Sequence, residues 1–279
     1  MHLSSAPVIV NNFVVIEQLD IYYPLTIAST TPILIFIYGG GFTKGCRSSP
    51  PSHLVYTNLG YFFASRGIIT VIPDYRLLPD ARYPDGSEDV AAAFRWVLSS
   101  DSSSSFKERC GDCKERALWA IGHSAGGIHL VTMMLLPYLF NLEISRALKG
   151  VVIMGTPFEV SNGKFPFRSS AQTYYGSPSF VGSRQPISLL RDAKTEHLQT
   201  FPKGMWSMVA GSEPKRIKSA HTNFARVYRE RGGMVDEWVM EGHDHMSPVL
   251  ALGSGVGEEW GEEVIKWIFS FSLSSLSTD

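Results

Sequence analysis

The pentapeptide Gly122-His123-Ser124-Ala125-Gly126 constrains this chain more than any other stretch. It follows an apolar run, Ala117 to Ile121, and a helix is expected right after Ser124, so the context is strand–turn–helix. In so tight a turn the residues two before and two after the serine must be small. The turn lifts the hydroxyl clear of the backbone. It also sets it at a helix N-terminus, where the dipole favours developing negative charge. The bland alternative is a serine that merely caps a helix after a loop; the strand in front of it argues against that.

The rest of the 279 residues alternates in the same way. Ile33 to Ile37 is a short apolar run ending in glycines, and Thr57 to Arg66 reads as a helix ended by Gly67. Ile68 to Ile72 is a β-branched run stopped by Pro73, and Ser87 to Ser99 carries Val90, Ala93, Phe94 and Val97 on one helical face. Val151 to Met154, Met205 to Ala210 and Met234 to Met240 are further strand candidates. Ala220, Phe224 and Val227 mark one helix between the last two, and Trp260, Val264, Trp267, Ile268 and Phe271 mark a final helix. This order predicts one α/β domain over residues 1–279, with a mostly parallel central sheet and helices on both faces. No repeat of solenoid or propeller period interrupts it. Met1 to Asp20 reads as a first strand, since no basic segment precedes its apolar residues and Asn11 and Asn12 break them. The serine-rich runs at 99–105 and 270–277 read as a loop and a frayed tail. Pro157 to Pro202 is too long for a simple connection and has little periodicity. Its aromatics, Phe158, Phe165, Phe167, Tyr174, Tyr175 and Phe180, suggest a lid insertion (157–202) over the sheet; core packing is the alternative.

Net charge is −1, which gives no electrostatic reason to expect nucleic acid or acidic lipid as a partner. The longest apolar run, Ile128 to Phe140, contains His129 and Pro137 and is too short to span a bilayer. Three cysteines are no disulfide framework. Cys110 and Cys113 form a C-x-x-C whose flanks read as a solvated loop, and no second pair completes a zinc site. The expectation is reduced thiols in a cytoplasmic compartment, with no metal and no cofactor.

A second glycine-rich element supports the first. Tyr38-Gly39-Gly40-Gly41-Phe42 follows the strand Ile33 to Ile37. Consecutive glycines are costly in backbone entropy, and their use is bare amides that can approach an anion. A phosphate loop would need Ser or Thr after Lys44, where Gly45 stands. A flexible turn is the other alternative. The amides of Gly40, Gly41 and Ala125 are therefore the candidate oxyanion hole. Ser124 also needs a base. Of eight histidines, His243 and His245 sit in a loop directly after the strand Met234 to Met240; His245 is preferred and His243 stays open. His123 is read as pointing off the turn, and His221 as lacking loop context. The acid should follow the preceding strand, Met205 to Ala210, where Glu213 is the only one. Asp192 is the fallback.

Taken in order, these residues resemble the hormone-sensitive-lipase branch of the α/β-hydrolases and its kynurenine-formamidase-like relatives. The resemblance runs through Asp74-Tyr75-Arg76-Leu77-Leu78-Pro79, Tyr83-Pro84 and Glu88-Asp89, and covers the chain from about Ile33 onwards. Tyr38 stands where the family has a histidine, and Glu213 where it mostly has Asp. The family's Gly-x-x-His spacing fits Gly242 to His245. The resemblance implies an α/β-hydrolase fold and acyl transfer on a small, largely apolar ester through an acyl-enzyme. Ser124 would be nucleophile, His245 base and Glu213 its orienting acid. Two alternatives stay open: a tailoring enzyme of secondary metabolism, and a receptor that binds a small molecule without turnover. A homodimer is neither required nor excluded.

Overall fold

A computed structural model describes residues 18–48, 53–99, 104–111, 113, 116–160 and 168–274. Seven strands form one sheet: β1 (Leu19–Tyr22), β2 (Ile33–Ile37), β3 (Ile69–Pro73), β4 (Leu118–His123), β5 (Leu148–Met154), β6 (Gly204–Ala210) and β7 (Asp236–Met240). Their order is β1-β3-β2-β4-β5-β6-β7, with β1 antiparallel to β3 and every other neighbour pair parallel. Parallel strands covered on both faces should be continuously apolar, and β2 reads Ile-Leu-Ile-Phe-Ile with every residue buried. The edge strand β7 carries the exposed Asp236 and Glu237, charges that discourage further pairing.

Helices cover both faces. Asp85–Leu98, Ala125–Leu135, Pro186–Asp192 and Lys215–Glu230 pack in succession as one layer. Thr57–Ala64, Ser247–Ala251 and Glu259–Ser274 meet one another in the other, where Phe63 packs on Trp260. The last helix lays Trp267 against the sheet. It stacks on Trp206 at 4.6 Å and meets Trp119 edge-on at 4.7 Å. Small residues make that approach feasible: a Cβ on Gly150 or Gly204 would fall 2.6 or 2.5 Å from the indole.

Three expectations change. The solvated loop around the cysteines contains a helix, Ser104–Cys110, and both Cys110 and Cys113 are buried. Its weak local propensity is overridden by Phe106, which is buried against Trp96 and Tyr23. The final helix runs to Ser274, well into the serine-rich tail. The 157–202 segment is not unpatterned: it contains the helices Arg168–Tyr175, Pro178–Arg184, Pro186–Asp192 and Thr195–Leu198. Each is too short to show a helical period. Ser177 caps the second through its hydroxyl, and prolines open the second and third. The first strand expected before Leu19 lies outside the described residues, as do Phe165 and Phe167.

Successive connections run from β2 outwards to β3 and then back to β4 on the other side of β2. The chain thus reverses its direction of travel between β2 and β4. In open α/β sheets, ligands bind beyond the carboxyl ends of strands at such a switch point.

Candidate active site

Ser124 sits at that point, directly after β4, with φ 53° and ψ −121°. This is backbone that side chains rarely adopt and costs roughly 1–3 kcal/mol. Its neighbours show why the turn needs small residues. A Cβ on Gly126 would lie 2.2 Å from the Ile37 carbonyl oxygen, and one on Gly122 would lie 2.7 Å from the Gly127 Cα. The helix Ala125–Leu135 begins immediately, so the Ala125 amide is one of its unpaired first-turn donors.

The loop after β7 carries His245, the candidate base. His245 Nδ1 is 2.6 Å from Glu213 Oε1, and its Nε2 is 3.1 Å from Ser124 Oγ. A carboxylate only accepts, so Nδ1 carries the proton. Nε2 is then the bare nitrogen that accepts from the serine hydroxyl. The Glu213 side chain is 1% exposed and that of His245 is 23% exposed. The carboxylate is thus held in the protein while the imidazole is partly open to solvent. Below this pair lies Gly155, at the end of β5 with φ 53°; a Cβ there would sit 3.1 Å from His245 Nδ1 and 3.2 Å from Glu213 Oε2.

The glycine loop closes the other side of Ser124. Gly39 is the tight contact, since a Cβ on it would fall 2.8 Å from the serine Cβ. Gly40 and Gly41 have φ 149° and 60°. Among the described residues, no acceptor takes the N–H of Gly40, Gly41 or Ala125. The Asp-Tyr-Arg motif anchors this loop. Tyr75 donates its hydroxyl to the Tyr38 carbonyl at 2.8 Å, and Tyr38 donates its own to Asp74 at 2.9 Å. Arg47 pairs with the other Asp74 oxygen, and Arg76 with Asp89. Tyr38 stacks between Tyr56 and Tyr75, and burial pushes its phenol well above the usual range. Tyr38, which stands where the resembled family has a histidine, is therefore a buried anchor for the loop.

The other sequence candidates lie elsewhere. His243 bonds Ser247 Oγ at 3.0 Å and not Ser124. Asp192 ends the helix Pro186–Asp192 on the exposed surface. Two histidines that sequence reasoning set aside stand close to the site. His123 Nε2 is 2.9 Å from the His245 carbonyl oxygen. His221 Nε2 accepts from the Thr156 amide at 2.7 Å, so its Nδ1–H donates to Ser207 Oγ at 2.6 Å. That clamp fixes the backbone next to Gly155. Burial, with the nearby His245 as a smaller cause, pushes both down to about 3. The signal for His123 was in plain view, as the variable position of the serine motif. His221 has no signature beyond its place on a buried helix face. Tyr174 and Tyr175 are fully buried in a cluster with Phe42, Ala125, Ile128 and Ile217, beside the serine turn. Phe180 is exposed. No group of three or more His, Cys, Asp or Glu that could hold a metal ion occurs among the described residues. No helix among them is long and apolar enough to cross a membrane.

Sheet order and a serine turn at the switch point define an α/β-hydrolase fold. Residues 19–145 match the family model described as BD-FAE. Esterase B from Lactobacillus rhamnosis superposes with a TM-score of 0.69 at 19% identity, covering 93% of this chain and 82% of that one. Tuliposide A-converting enzyme 2 of Tulipa gesneriana is 34% identical over 107 residues, 37% of this chain and 27% of that enzyme. A probable carboxylesterase, M8, from a Phoma species is 34% identical over 116 residues, 40% of this chain and 35% of that protein. The chain thus matches about a quarter to a third of the length of these curated relatives.

Proposed function

We propose that this chain is a serine hydrolase that cleaves an ester of a small, largely apolar molecule. The observation that carries the reading is the unbroken chain from Ser124 Oγ through His245 to the buried Glu213. Names of relatives with sequence identity above 30%, a tuliposide A-converting enzyme and a probable carboxylesterase, point the same way.

The geometry supports one sequence of events. Ser124 attacks the ester carbonyl as His245 Nε2 takes its proton. The resulting imidazolium is stabilised by Glu213, which also holds the tautomer that leaves Nε2 free. The oxyanion enters between the glycine loop and the serine helix, where the amides of Gly40, Gly41 and Ala125 have no acceptor among the described residues. Losing one such donor typically costs ~10²–10³ in rate. His245 returns the proton to the departing alcohol, leaving an acyl-enzyme on Ser124. Water, activated by the same nitrogen, releases the acid. In this reading the 157–202 segment covers the site. Its aromatic cluster around Phe42, Tyr174 and Tyr175 borders the serine, which favours apolar over charged groups.

Ser124→Ala tests the reading. It should keep the fold, measured by circular dichroism, and abolish p-nitrophenyl acetate turnover and fluorophosphonate labelling. Unchanged turnover in that variant would sink the proposal.

A further inference from the structure

We propose that His123 is a positioning residue for His245, holding the base's main chain in register with the nucleophile it serves. The proposal rests on the hydrolase reading above and goes beyond it, since His123 touches no reacting atom.

The argument starts from covalent position. His123 is the last residue of β4, in register with Met154 of β5, and it is the immediate neighbour of Ser124. It is buried, with 1% of its surface exposed. Nε2 lies 2.9 Å from the His245 carbonyl oxygen, and the two imidazoles sit 4.9 Å apart. A carbonyl can only accept, so His123 must carry its proton on Nε2. Nδ1 is then a bare acceptor. It is buried and has no partner, and it faces Gly39, where a Cβ would come within 3.3 Å of it. Leaving a buried acceptor unpaired costs roughly 1–3 kcal/mol. A leucine would avoid that cost but would lose the bond to the loop.

That bond has no substitute. Apart from the Ser124–His245 contact itself, it is the only hydrogen bond among the described residues that joins segment 241–246 to the turn 122–126. Segment 241–246 otherwise hangs from its neighbours: Ser212 N–H bonds the His243 carbonyl at 2.8 Å, and Asp244 and Ser247 cap one another. The base thus reaches its nucleophile along two routes, one through its ring and one through its own carbonyl. The second route survives when the serine proton has left and the first has changed character. Both the neutral Nε2–H ring and its cation carry a proton on Nε2, so the donor persists throughout the catalytic cycle.

The test separates donor from shape. His123→Phe fills the space without a donor, whereas His123→Gln places an amide N–H near the position of Nε2. Active-site titration corrects each for folded enzyme. Because a misplacement of about 1 Å at a reacting centre costs ~10²-fold, kcat of His123→Phe should fall roughly 10–100-fold with KM within about 2-fold, and His123→Gln should recover most of the loss. If His123→Phe does not fold, His123→Met carries the same comparison. Wild-type kcat in the variant lacking the donor, or an equal loss in His123→Gln, would overturn the proposal. A readout independent of turnover is the ¹⁵N spectrum of the His123 ring. It should report the Nε2–H tautomer at pH 7, and an Nδ1–H tautomer, which leaves no donor for the carbonyl, overturns the assignment. A wild type without ester turnover would defeat the hydrolase reading alone, and the ring spectrum would still decide whether His123 holds the carbonyl.

Discussion

Gly155→Ala places one methyl group where the geometry says it matters most. The residue has φ 53°, so any side chain pays a conformational cost of roughly 1–2 kcal/mol. The new Cβ would also lie 3.1 Å from His245 Nδ1 and 3.2 Å from Glu213 Oε2, on the hydrogen bond that orients the base. Ordinary contact begins near 3.4 Å, so the pair must yield by a few tenths of an ångström. Glu213 is buried and cannot retreat, so the shift falls on His245, the more exposed partner. If about 1 Å of misplacement costs ~10²-fold, a shift of this size should cost roughly 2–5-fold in kcat. Gly232→Ala supplies the control. It has φ 86° and nothing within 4 Å of the added atom, so it carries the same backbone strain far from the site. Steady-state turnover of a short p-nitrophenyl ester and thermal melts compare the two. Both should lose roughly 2–8 °C in Tm. Only Gly155→Ala should lose kcat. If the two variants match in both measurements, the His245–Glu213 bond does not set the rate and the reasoning fails.

Glu213→Gln keeps the shape of the acid but can donate to Nδ1, which favours the wrong tautomer; kcat should fall by ~10⁴, while Asp192→Asn stays near wild type. An active Glu213→Gln would remove that residue from the mechanism. Stability should fall with acidification for a definable reason. Burial pushes His123, His129 and His221 down to about 3, against an ordinary 6.5. Between those values the unfolded chain binds a proton at each that the folded chain refuses, so stability is complete above about pH 6.5 and declines as pH falls. Each contributes a slope of about 1.4 kcal/mol per pH unit in that window. Urea unfolding of His129→Gln between pH 6 and pH 4.5 should show a shallower slope than wild type by that amount, and an identical slope would contradict the assignment.

The site was legible where chemistry and sterics impose spacing. The small residues around Ser124, the glycine loop after β2, and an acid and a histidine after the last two strands are demands of one turn and one sheet. They therefore leave marks on the sequence. The strands were legible for a related reason: a strand buried on both faces must be apolar throughout. What stayed hidden depends on contacts between distant residues. The helix Ser104–Cys110 owes its place to Phe106 against Trp96 and Tyr23. The helices between 168 and 198 are each under three turns long and show no period of their own. His221 looks like any other histidine on a helix face, and the place of His123 inside the serine motif does not reveal what its ring holds. Only the carbonyl or amide that meets each ring distinguishes a clamp from filler.

The three tryptophans gathered under the last helix have a consequence for watching this protein fold. Trp267 lies over Gly150 and Gly204, near the amino ends of β5 and β6, whereas every residue of the site hangs from the carboxyl ends of the strands. With Trp96, Trp238 and Trp260 replaced by phenylalanine, the emission of these indoles and the ester turnover proposed above therefore sample opposite rims of one sheet. The emission responds once the final helix has docked. Turnover needs, in addition, the loops after β2, β4, β6 and β7 to meet. A refolding experiment that records both has its own internal clock, and the lag between them is the time the loops take to find one another on a finished sheet.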